Sequence, residues 1–156
     1  MDKMIPKLSQ AAMNYRECIL ELPEDAFLKP INGWSPRDIT AHLIGWNRHT
    51  ITGCRQIRMG NLPSYFSDAP NDYKNINDES VALYFSQDRE LLLAELETSY
   101  LSLENFVQFM DPDDWTKDFG VRYGEHTITI SNTIEALIQD YDEHCQEIRT
   151  WSINLT

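Results

Sequence analysis

The sequence predicts an all-α domain: a four-helix bundle of up-up-down-down order with long crossover loops. Three observations predict it. Four segments carry apolar residues at three- and four-residue steps, the spacing of one helix face. Clusters of proline, asparagine and glycine separate them. The one alternating stretch, Thr127-Ile128-Thr129-Ile130, has no strand of comparable quality to pair with. Stripes of this kind in 156 residues are buried against one another as one domain spanning 1–156.

The first helix runs from about Lys3 to Leu22 on Ile5, Leu8, Ala12, Tyr15 and Ile19, with Pro6 tolerated in the first turn and Pro23 closing it. The second starts at Ser35. Ser-Pro-Arg-Asp puts a hydroxyl at the N-cap, proline at the first helical position and a carboxylate at the third. It continues past Ile39, Leu43 and Trp46 to Met59, and Gly60 stops it. Asn61 to Asn75 reads as a loop, followed by a short helical piece from about Asn77 to Phe85. Ser86, Gln87 and Asp88 mark a restart. The third helix then carries Leu93, Leu96, Tyr100, Leu103, Val107 and Met110 until Asp111-Pro112 ends it. A loop with Gly120 and Gly124 leads to the fourth helix, capped by Thr127 or Thr129 and buried along Ile130, Ile134, Leu137, Tyr141, Ile148 and Trp151. All three links are long enough to cross over, which favours up-up-down-down.

Composition narrows the function. With 25 acids against 13 bases the net charge is −12, which repels polyanions, so no nucleic acid and no anionic membrane is expected as a partner. No run reaches the roughly 18 apolar residues of a membrane span, and the first residues lack a signal-peptide pattern. Three scattered cysteines form no CxxC pair, which fits a reducing, cytoplasmic setting.

His42 is the anomaly. It lies three residues after Ile39 and four before Trp46, on the greasy side of its helix. In the last helix Asp140 and His144 stand one turn apart on the face of Leu137 and Ile148. His42 is seven residues after the cap Ser35, and His144 is seven before Trp151. At ~1.5 Å per residue each sits about 10 Å from its helix end, so antiparallel helices bring the three to one height. Such a set suits a divalent transition metal (Zn, Ni, Fe or Mn). A hydrogen-bonded core histidine and a local Asp–His pair explain the same residues without one. His49, two turns beyond His42, is the candidate general base, with a half-exposed helix residue as the plain alternative. His126 and Glu143 read as surface, Cys54 as core, and Cys145 as pointing away from the set.

GWSPRDITAHLIGWNR (Gly33 to Arg48), the Asn77 region before a long helix, and DYDEHCQEIRTW (Asp140 to Trp151) together resemble the DinB-like superfamily, DfsB/ClbS type. The resemblance implies the up-up-down-down bundle of the DinB/YfiT-like metalloenzyme fold and a homodimer. It also implies a metal centre of one histidine from the second helix and two from the fourth. His42 and His144 fill the outer positions, while Asp140 stands where the family usually has histidine. The expected function is a divalent-metal-dependent enzyme acting on a small organic molecule by hydrolysis or thiol transfer. A metal-free protein that sequesters such a molecule and a structural oligomerisation bundle are the alternatives.

Overall fold

The computed structural model describes residues 3–85 and 88–155. These form α1 (Met4–Leu20), α2 (Pro36–Arg58), α3 (Lys74–Leu83), α4 (Arg89–Gln108) and α5 (Ile130–Ser152). A two-stranded hairpin, β1 (Arg122–Tyr123) and β2 (His126–Thr127), lies between α4 and α5. No helix among them is long and apolar enough to cross a membrane.

The helix ends follow local chemistry. Ser35 Oγ accepts from the Asp38 amide at 3.2 Å, and Asp38 Oδ2 accepts from the Ser35 amide at 3.0 Å, completing the capping box at the start of α2. Gly60, at φ 79°, takes the left-handed turn after it. At α5 the cap is Thr129, answered by Asn132. Asp88 caps α4 by accepting from Glu90 and Leu91; the expected restart otherwise falls on Ser86 and Gln87, outside the described residues.

An all-α bundle is what the apolar stripes required, but side-chain contacts set its directions differently from the expected order. Arg89, at the start of α4, donates to the carbonyls of Ile19 and Leu22 at the end of α1, so those two helices are antiparallel. Asn47 meets Ser99 while Arg55 lies over Phe106, so α2 and α4 are parallel. His42 meets His144 while Arg58 reaches Asp114, beside the start of α5, so α2 and α5 are antiparallel. Tyr15 packs on Tyr141 and Cys18 on Cys145, which makes α1 and α5 parallel. The main helices therefore run up, down, down, up. Loop length permits a crossover without dictating one; the long links here instead carry a 3-10 segment (Ser64–Asn71) with α3, and the hairpin. Of the alternating stretch Thr127 does pair, opposite Arg122 in a hairpin that turns at Gly124, φ 59°, while Thr129 and Ile130 cap and begin α5.

The core is Leu, Ile and aromatic side chains from α1, α2, α4 and α5, with the buried Trp115 tied through its carbonyl to the Ser131 amide at the start of α5. A polar chain threads it. Thr40 gives its hydroxyl proton to the Pro36 carbonyl, so Tyr15 is the donor to Thr40 Oγ1 at 2.8 Å. Asn47, fully buried, donates to Ser99 at 3.0 Å and accepts from Tyr141 at 2.9 Å, joining α2, α4 and α5.

Two glycines on α2 admit the elements that wall the site. A Cβ on Gly45 would collide with Ser80 of α3, and one on Gly53 would sit 2.7 Å from a Tyr65 ring carbon. Gly45→Ala gains up to about 1 kcal/mol of helix propensity, but displacing α3 costs roughly 1–3 kcal/mol. We expect a net fall in Tm, recovered when Ser80→Gly is added. A Gly45→Ala protein as stable as wild type would show that α3 does not press on α2 as described.

Candidate functional site

α2 and α5 line a cavity of about 700 Å³, bordered on a third side by the 3-10 segment and the start of α3. Trp34, Trp46, Tyr65, Phe66 and Tyr73 supply its aromatic wall. Trp46 stands nearly perpendicular to Tyr65 and Tyr73, with ring centres 5.1 and 5.3 Å away, the edge-to-face arrangement that aromatic quadrupoles favour. Tyr73 and Asp72 both have left-handed backbones, at φ 59° and 53°. For non-glycine residues that conformation costs energy, and here it turns the Tyr73 ring toward the cavity.

At the floor the structure brings His42, Asp140 and His144 together. His42 Nε2 is 2.9 Å from Asp140 Oδ2, and His144 Nε2 is 3.2 Å from Asp140 Oδ1. One potential ligand atom from each of the three lies within 4.8 Å of the others. Both histidines use their remaining nitrogen outward. His42 Nδ1 meets Asn77 Oδ1 at 3.0 Å, and His144 Nδ1 meets Glu147 Oε2 at 3.2 Å. His42 is 5% exposed and sits between the rings of Trp34 and His144, each 5.1 Å away.

The charges reinforce one another. Burial pushes the Asp140 carboxyl up, but hydrogen bonds and charge from His144 and His42 outweigh it and hold the group well below the usual carboxylate range. Burial pushes His144 down, and Asp140 and Glu147 reverse that, leaving it above the ordinary imidazole value.

The floor fits a divalent cation by the chemistry of its donors. Acceptors engage both Nδ1 atoms, so both Nε2 atoms face the carboxylate, the orientation that outer hydrogen bonds impose on metal-binding imidazoles. Without a metal the same triad is a carboxylate shared by two rings.

His49 lies elsewhere. It packs on Trp46 with ring centres 5.5 Å apart and does not border the cavity; burial lowers its pKa, opposed by Glu79. Glu143 is exposed at the rim and Cys145 is turned to α1. Sequence reasoning gave no role to Trp34, Asn77, Glu147 or Tyr73. Only Glu147, three residues after His144 on one helix, carried a readable spacing signal.

No protein-family model matches the sequence, and no curated protein matches it significantly. Among solved structures the chain is similar to the colibactin self-resistance protein ClbS, crystallised in complex with a double-stranded DNA. The TM-score is 0.76 at 12% identity, covering 99% of this chain and 96% of that one. The fold is thus that of a ClbS-type helical bundle, as the motifs implied. The same finding overturns two expectations. A bundle of this fold holds duplex DNA, against the expectation of no nucleic-acid partner, and the protein that does so is a self-resistance protein, against the metal-dependent enzyme acting on a small organic molecule. Net charge is a sum over the whole surface. It argues against binding driven by many phosphate contacts, not against docking through a few.

Proposed function

We propose that this chain is a protective protein that works in contact with duplex DNA and receives a base, turned out of the stack, in its aromatic cavity. The observation that carries the reading is the whole-length fold similarity to a self-resistance protein in complex with double-stranded DNA. The cavity chemistry supports it. An extruded base needs aromatic faces and a few polar groups, and this cavity offers Trp46, Tyr65 and Tyr73 together with Asn132, Thr133 and Gln139. Two exposed cations flank the wall: Lys74 follows Tyr73, and Arg122 precedes Tyr123, whose ring lies 4.9 Å from Phe66. Each is engaged by an exposed carboxylate four residues away in sequence, Asp78 and Asp118, which a phosphate can replace at little cost.

The proposal includes one divalent transition metal at the cavity floor, held by His42 Nε2, Asp140 and His144 Nε2. Such an ion would supply a Lewis-acidic point facing whatever enters the cavity.

Fluorescence anisotropy with a labelled duplex tests the DNA reading. At low salt the dissociation constant should be on the order of 10 μM, with log K falling against log salt at a slope of about −2, as two phosphate contacts dictate. A duplex with a mismatch, whose base leaves the stack at lower cost, should bind roughly tenfold tighter, and Tyr73→Ala should remove that preference. No binding at ~100 μM protein, or equal binding of matched and mismatched duplexes, would sink the reading.

A further inference from the structure

We infer that Asn77 is the positioning residue of the floor: its side-chain oxygen fixes which nitrogen of His42 faces the cavity and ties that choice to the aromatic wall. The inference rests on the metal reading above. Asn77 enters α3 one turn from its start and stands far along the chain from both groups it touches. Its Oδ1 is 2.8 Å from Trp46 Nε1 and 3.0 Å from His42 Nδ1. The indole N–H can only donate, so the atom facing it must be the carbonyl oxygen and not the amide nitrogen of Asn77. A carbonyl oxygen can only accept. His42 must therefore carry a proton on Nδ1, whatever the state of Nε2, and Nε2 is the atom aimed at Asp140.

His42 and His144 thus hold the same orientation by different means. Glu147 holds His144 with a half-buried carboxylate, whereas Asn77 holds His42 with a neutral amide. The neutral holder has a second consequence. Because Asn77 Oδ1 is shared with Trp46, a rotation of the Trp46 ring that breaks its bond frees the amide to turn, and the Nδ1 constraint on His42 goes with it. Cavity wall and cavity floor are coupled through one oxygen atom.

Three proteins test this: wild type, Asn77→Leu, which keeps the size and removes the acceptor, and Asn77→Asp, which restores an acceptor. Zinc affinity, measured by competition with a chromophoric chelator, should fall 10–100-fold in Asn77→Leu and return to within a few-fold of wild type in Asn77→Asp. Nitrogen-15 spectra of His42 should show a proton on Nδ1 in wild type and Asn77→Asp, with and without zinc, and in the metal-free proteins its loss from that nitrogen in Asn77→Leu. Circular dichroism and Tm confirm that each variant folds. Zinc affinity of Asn77→Leu within about threefold of wild type, or wild-type His42 protonated on Nε2 alone, overturns the inference. If Asn77→Leu does not fold, the wild-type spectrum decides by itself. If wild type binds no zinc, the metal reading fails, and the Nδ1 proton in the metal-free protein still judges the role of Asn77.

Discussion

Zinc affinity falls by at least about 100-fold in Asp140→Ala, and the metal-free variant is less stable than wild type by about 2 kcal/mol. Both effects come from one carboxylate serving two rings. Asp140 Oδ2 faces His42 and Oδ1 faces His144, so alanine removes a proposed ligand and two charge-assisted hydrogen bonds together. The stability loss is kept modest because Asp140 remains 30% exposed and water replaces part of what is lost. The pH profile of metal-free protein provides an independent check. Asp140 titrates lower in the fold than in the unfolded chain, so its contribution is present above the ordinary carboxylate range and lost as pH falls through the depressed value. His144 titrates higher, so its contribution is full below the ordinary imidazole value and lost as pH rises through the raised one. Wild type in chelator should be most stable in mildly acidic solution, between those limits. In Asp140→Ala the acid-side loss disappears and the rise in stability below neutrality shrinks, leaving the part due to Glu147. Urea denaturation at a series of pH values measures this; superimposable wild-type and variant profiles would show that the carboxylate is not shared as the distances indicate.

The convergence of His42, Asp140 and His144 was readable because each sits on a long helix with a clear apolar stripe. Their common height needed only that α2 and α5 be antiparallel. That relation holds in the expected order and in the observed one, so the error in bundle direction left the convergence intact. Asn77 was not readable in the same way. It reaches the site through a loop whose path depends on two left-handed residues, Asp72 and Tyr73, that no glycine announces. Trp34 lies before the capping box and faces His42 only because Ser35 fixes how the chain enters α2. Helix periodicity reports residues that share an element. It is silent on residues delivered from outside the α-helices, and of the aromatic wall Trp34, Tyr65, Phe66 and Tyr73 are of that kind.

Asn47→Ala should destabilise the protein by about 3 kcal/mol, with little change in zinc affinity. The side chain is fully buried, and both of its polar ends are used, toward Ser99 of α4 and Tyr141 of α5. Alanine leaves the Tyr141 hydroxyl with no acceptor in a site closed to water, and burial already pushes that phenol well above its ordinary pKa. Ser99 loses a donor but keeps its own bond to the Leu96 carbonyl, so most of the cost falls on Tyr141. This asymmetry gives the test. Adding Tyr141→Phe removes the orphaned hydroxyl, and the double variant should recover about 1–2 kcal/mol relative to Asn47→Ala alone. Tyr141→Phe by itself should cost about 1 kcal/mol, because Asn47 still bonds Ser99. Chemical denaturation of the four proteins closes a double-mutant cycle. Strictly additive losses would mean that the hydrogen bond between α2 and α5 is not formed in solution. The antiparallel register that sets His42 against His144 would then rest on the His42–Asp140 contact and on apolar packing.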